Sequence, residues 1–229
     1  MLALKIKDKN TAGWRAYQAG WIYFSRSQSD KVLECAKRAS LYWEKSSPRE
    51  KGAAIRLRGL GYKIQGKYDK ALIDYRKALE IWRTISPESD DVTNVLNDIA
   101  IIERIKKDYA AAESDYREIL RIDKKINNQE GIPTILGNLA TLALEREQWV
   151  EAESLVREAL ELDEKYGRNE IIALDCHRLA QALLEQKKNL DEALSLSNRA
   201  VEIFTRLRHP ELQSAQETLG EIEERMKDK

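Results

Sequence analysis

Small residues return in this chain at a fixed interval, and no other feature limits its fold so tightly. Val32, Ala71, Ala112, Ala152 and Ala193 follow one another at steps of 39, 41, 40 and 41 residues. A second set, Gly20, Gly59, Ala100, Ala140, Ala180 and Gly220, repeats at steps of 39, 41, 40, 40 and 40. In the stretch Gly66–Trp82, Ala71 and Ala78 lie seven residues apart, as do Tyr68 and Tyr75, so each pair falls on one stripe of a helix. The alanines admit a neighbouring helix closely, and the tyrosines fill the space beside that contact. Such a helix cannot bury its stripe alone. A period near 40 carried along the whole chain therefore predicts stacked helical units, a solenoid.

Punctuation agrees with that period. Ser47-Pro48-Arg49-Glu50 reads as an N-cap serine, a proline at the first helical position and a glutamate closing a capping box. Ser86-Pro87-Glu88 and His209-Pro210-Glu211 also read as helix starts, and Asn127-Asn128 and Gly167-Arg168-Asn169 as turns. The pattern predicts eleven helices, at about 11–26, 29–45, 48–65, 68–85, 88–107, 109–126, 129–147, 149–166, 169–187, 190–207 and 210–227. They form five antiparallel pairs, over 11–46, 47–86, 87–127, 128–167 and 168–209. A capping helix with a polar outer face occupies 210–229, and residues 1–10 lack periodicity and are expected to be disordered or frayed. With 34% charged residues but only 10 glycines and 4 prolines, the 229-residue chain suits long solvated helices.

These residues resemble the tetratricopeptide repeat (TPR) family. The best match is Gly59, Tyr62, Gly66, Tyr68, Ala71, Tyr75, Ala78 and Leu79. Later repeats offer Ala100, Tyr109, Ala112 and Tyr116, then Ala140, Trp149, Ala152 and Ala159, then Ala180, Ala193 and Ala200. Arg58 departs from the pattern, standing where a buried leucine is expected. The resemblance implies an all-α, right-handed TPR superhelical solenoid of five antiparallel pairs plus the C-terminal cap. The period near 40, longer than the ~34 residues of the short form, resembles kinesin light chains and the sensor arrays of STAND/NB-ARC-type signalling ATPases. Gly13-Trp14, Ala19-Gly20-Trp21 and Phe204-Thr205-Arg206-Leu207 look most like bacterial members of the latter group.

Catalytic chemistry finds no support. Gly59-Leu60-Gly61 with Gly66 falls inside a helix, follows no strand and lacks the lysine and hydroxyl of a phosphate-binding loop. Cys176 and His177 are adjacent, so on a helix they diverge by about 100° and cannot act as nucleophile and base. Two histidines and two isolated cysteines suggest no metal site, no cofactor and a reducing, cytoplasmic setting. The 39 basic and 39 acidic residues balance, which disfavours nucleic acid as the partner, and no apolar run is long enough for a membrane span. The chain reads as a non-enzyme.

The resemblance implies that the first helix of each pair faces the concave groove. Helix 1 then presents Trp14, Tyr17, Trp21 and Phe24, an aromatic seam left over after Ala16, Ala19, Gly20 and Tyr23 serve packing. Later first helices present Arg56 and Lys63, Asn97 and Arg104, Asn138, and His177 with Arg178. Asparagine amides can pair with an extended peptide backbone, and the cations with carboxylates or phosphates, against opposing Asp98, Glu145 and Glu185. The chaperone-type carboxylate clamp is excluded, because Trp21, Leu60 and Ile101 stand where its asparagine would sit. Two functions follow as expectations. One is a non-catalytic scaffold binding a protein or peptide in the groove. The other is a ligand-sensor segment of a larger STAND-type ATPase, whose helix 1 aromatic face docks on an upstream domain or on a second copy.

Overall fold

The computed structural model describes the backbone of residues 2–227 and side chains of residues 8–227. Among them are eleven helices and no strand: α1 (Leu2–Ser25), α2 (Ser29–Tyr42), α3 (Pro48–Ile64), α4 (Tyr68–Ile85), α5 (Asp90–Ile105), α6 (Tyr109–Ile126), α7 (Gly131–Glu145), α8 (Trp149–Tyr166), α9 (Asn169–Glu185), α10 (Leu190–Leu207) and α11 (Leu212–Lys227). The chain divides into two compact units, Met1–Ile126 and Asn127–Lys229. In the first, α1 pairs with α2, α3 with α4 and α5 with α6, while α2 packs on α3, α4 on α5 and α1 on α3. In the second, α7 pairs with α8 and α9 with α10, α8 packs on α9, and α11 covers α9 and α10.

The periodic residues are the contacts that let these helices close. Val32, Ala71, Ala112, Ala152 and Ala193 have no exposed surface, nor do Ala100, Ala140 and Ala180. The glycines act as sockets for large side chains. A methyl group at Gly59 would stand 2.5 Å from Cε1 of Tyr75, and one at Gly20 only 2.6 Å from Cδ2 of Leu57. Gly52 receives the indole of Trp82, and Gly13 that of Trp43. These last two are one socket used twice, since both glycine and tryptophan move by 39 residues between repeats. Gly220 is the exception: a side chain there would meet open space, because no further helix follows α11 among the described residues.

Trp43 touches one segment that departs from expectation. Its buried Nε1 donates a hydrogen bond to Asn10 Oδ1 at 2.9 Å, which ties the segment before Thr11 to α2. The helix runs from Leu2, through residues expected to be frayed; Met1 lies outside the described residues. The Ser47–Glu50 capping box also takes another form. Pro48 does open α3, but the Ser47 hydroxyl bonds the Glu50 carboxylate instead of a backbone N–H. Ser89 is the N-cap of α5 and α11 opens at Leu212, two residues after the expected starts.

The turn inside each pair repeats too. Ser27, Gly66, Lys107, Glu147 and Lys187 all take left-handed backbone angles, with φ of 54°, 69°, 62°, 58° and 54°. In each, the following residue's N–H reaches back to a carbonyl five positions earlier, as Lys67 does to Tyr62 at 3.0 Å and Gln148 to Ala143 at 2.8 Å. This is a Schellman-type helix end, and glycine is its unstrained residue. Only one of the five turns has it.

Arg58 fits because the chain supplies a partner one helix away. Its Nε and Nη2 donate to Oδ2 and Oδ1 of Asp74 on α4, at 2.7 and 2.6 Å. The Arg58 side chain keeps 43% of its surface in water while the Asp74 side chain keeps 5%. The stem thus fills the leucine's place and the head reaches the rim.

Two substitutions test this account by urea unfolding. Glu147→Gly should stabilise the protein by about 0.5–1 kcal/mol by relieving the left-handed turn; a loss of stability would contradict it. Arg58→Leu should destabilise by about 2 kcal/mol, below the roughly 3–5 kcal/mol of a fully buried pair because water screens the guanidinium. Adding Asp74→Leu should recover most of that loss, and additive losses would refute the pairing.

Candidate functional site

The α1 seam is a ladder of rings. Trp14 and Tyr17 meet edge to face with centroids 5.6 Å apart, Tyr17 and Trp21 at 6.2 Å, and Trp21 and Phe24 at 5.4 Å. Trp43, the C-cap residue of α2, closes the lower end, 5.0 Å from Trp14 and 5.9 Å from Tyr17. Edge-to-face contact fixes each ring against the next and leaves the Trp14 ring the most open, with that residue 39% exposed. Tyr17, Trp21 and Phe24 are half-buried.

The cations expected further along the groove bear on these rings. Arg56 lies over Trp21, 5.3 Å from the ring centroid, and Lys63 lies over Phe24 at 5.5 Å. Both are held from the other side by one carboxylate. Asp98 on α5 accepts from Arg56 Nε at 2.7 Å and from Lys63 Nζ at 3.2 Å, and its side chain is only 6% exposed. Two positive heads thus share one negative charge in a half-dry setting, so the cluster keeps a net positive charge at a fixed position. Asp98, expected merely to oppose the cations, is what orients them. Asn97 and Arg104 stand beside it on α5, both half-buried and both in further contacts within the chain.

The second unit has a separate set. Arg178 on α9 donates to Asp175 at 3.0 Å, and a side chain at Gly137 would meet the guanidinium at 3.2 Å, so the glycine leaves room for it. Asp175 is fully buried. Burial pushes its carboxyl up to about 7, with Arg178 opposing the shift and Asp163 adding to it. Asp163 is paired in turn with Arg168. Asn138 sits half-buried on α7. His177, expected on the open face, is instead 5% exposed beneath α11, with Nε2 3.2 Å from Ser214 Oγ.

Trp43 is the ladder residue that the spacing along α1 does not reveal, although its distance of 39 residues from Trp82 carries the repeat signal. The described residues include no cluster of three or more His, Cys, Asp or Glu side chains placed to hold a metal ion. No helix among them is long and apolar enough to cross a membrane.

No curated protein sequence matches the chain. Solved structures do. BtubC (BKLC) of P. vanneervenii shares 17% identity over 91% of this chain and 92% of its own, with a TM-score of 0.68. The STAND protein PH0952 of Pyrococcus horikoshii, which has a tetratricopeptide repeat sensor, is 16% identical over 95% of this chain and 33% of its own, with a TM-score of 0.77. PlcR of Bacillus thuringiensis, solved with the peptide PapR7 and DNA, is 15% identical over 90% of this chain and 73% of its own, with a TM-score of 0.71. At these identities the likeness is one of fold. A family model described as tetratricopeptide repeat matches residues 52–125 and 131–205, more than half of the sequence. With that match laid over the paired helices and their buried small residues, the chain belongs to the tetratricopeptide repeat family.

Proposed function

We propose that the protein is a non-catalytic scaffold that binds a partner protein or peptide through its first-helix faces. The observation that carries this reading is the aromatic ladder of α1, with Arg56 and Lys63 fixed against it by Asp98. Rings held edge to face offer a large contact area with little conformational entropy left to lose. Arg56 uses its Nε on Asp98 Oδ2 and its Nη2 on the Asn94 carbonyl at 3.5 Å, and its Nη1 side suits an acidic group on the partner. Asn97 and Arg104 extend the same face within the first unit. In the second unit Asn138 and Arg178 provide an amide and an anchored cation of their own. The structure of PlcR with a peptide supports the choice of ligand class by analogy of fold alone.

A second reading rests on the likeness to PH0952, of which this chain covers a third. There the α1 face docks on an upstream domain of a STAND-type ATPase, or on a second copy, and the chain acts as its ligand sensor.

Trp14→Ala separates the two readings. Screened against a library of extended peptides by fluorescence anisotropy, the wild type should bind a subset enriched in acidic residues. The variant should lose about tenfold in affinity, the loss of roughly 1.4 kcal/mol expected for an exposed aromatic anchor. Unchanged peptide affinity, with higher solubility and less self-association by light scattering, would instead assign the α1 face to docking.

A further inference from the structure

The 41-residue step between the second and third repeats carries Arg58 onto Ile99 and Asp74 onto Asp115. The acid is kept and the arginine is gone. Asp74 receives two hydrogen bonds from Arg58, whereas Asp115 forms no hydrogen bond or ion pair among the described residues. Where the arginine would reach, the surface opens into a cleft of about 610 Å³ between α4, α5 and α6. Leu79, Leu96 and Ile99 line its apolar part, and Glu103 and Asp115 its acidic part. Glu103 is 8% exposed, and its Oε2 is buried with no hydrogen-bond partner. Its other oxygen has only Arg76 Nη2, 3.5 Å away on a side chain that is 64% exposed. Arg83, the other cation of the cleft, is committed to both oxygens of Glu118 at 2.9 Å. A smaller cleft of about 270 Å³ adjoins across Arg76 and shares Glu103 with the first.

We propose that this cleft binds the guanidinium of an arginine side chain presented by a partner protein, with Glu103 and Asp115 as its acceptors. Two carboxylates around an apolar slot match a planar, forked donor on an aliphatic stem better than they match a compact ammonium. The slot is open along the protein surface, as a side chain projecting from another chain requires. At about 100° per residue, Ile99 and Glu103 lie on the far side of α5 from Asn97 and Arg104. The site is therefore independent of the α1 face described above, and either can fail without the other.

Ionisation gives the site a pH signature. Burial pushes Asp115 up to about 7, with Glu103 and Glu118 adding to the shift and Arg83 and Arg76 opposing it. Burial raises Glu103 as well, against Arg76. The charges facing the two acids are Arg76, Glu80 and Arg83 from α4, Glu103 from α5, Asp108 from the turn that follows it, and Asp115 with Glu118 from α6. A bound guanidinium favours the ionised acids, so binding releases protons and tightens as pH rises through 7.

The test is an NMR titration of the full chain with N-acetyl-L-arginine methylamide, following the methyl groups of Leu96 and Ile99. The expected result is saturable binding with a Kd on the order of 1 mM, tighter at pH 8 than at pH 6. It should weaken at least tenfold in Glu103→Gln/Asp115→Asn, or in Asp115→Asn alone if the double variant loses helicity by circular dichroism. Absence of saturable binding would overturn the proposal. So would equal binding of the uncharged citrulline analogue, equal binding by a folded variant, or much tighter binding of free agmatine, which would indicate a small-molecule site.

Discussion

Close approach of helices at bare backbone is the constraint on which this structure rests. Gly13 and Gly52 receive tryptophans, Gly59 receives Tyr75, and Gly20 receives Leu57. Alanines with no exposed surface do the same at the other turns of the repeat. A side chain at any of these glycines would hold two helices apart. The ring it displaced would lose the dispersion contacts that come with close packing. The period of the sequence is the period of these sockets.

Polar chemistry is confined to what that packing leaves over. Arg58 enters a core position only because Asp74 meets it at the rim, and Asp98 serves Arg56 and Lys63 together. Each arrangement pairs a nearly buried acid with cations that retain some contact with water, the geometry in which an ion pair avoids most of its desolvation penalty. Because the acid anchors the cation, the charge presented outward has a fixed position. The third repeat keeps the acid without the cation, which turns the same device from a structural pair into a vacancy shaped for one.

The fold was legible because its determinants recur. Ala71 and Gly59 each have counterparts about 40 residues away, and a position repeated along the chain is visible without coordinates. The candidate site was legible only in part. Trp14, Tyr17, Trp21 and Phe24 lie on one stripe of one helix, so spacing alone brings them together. Their contacts with Trp43, Arg56 and Lys63 cross between helices, and sequence spacing holds no direct trace of those. His177 illustrates the same limit: spacing put it on the open face, but nothing in its neighbours announced that α11 would cover it. The turns were hidden for another reason. Four of the five left-handed positions carry Ser, Lys or Glu, residues that give no hint of the backbone they adopt. Arg58, conspicuous as a mismatch, marked a real feature whose partner Asp74 sits sixteen positions later on the next helix.

The most direct test of the socket account is a double-mutant cycle at Gly59 and Tyr75, read by chemical unfolding. Gly59→Ala alone forces the Tyr75 ring aside and should destabilise by about 1–3 kcal/mol. Tyr75→Leu alone should also destabilise, by leaving part of the socket empty. If the two residues form one socket, the double variant should be more stable than the sum of the single losses predicts, with a coupling of at least about 1 kcal/mol. Strict additivity would show that Gly59 and Tyr75 do not limit each other, and would contradict the account.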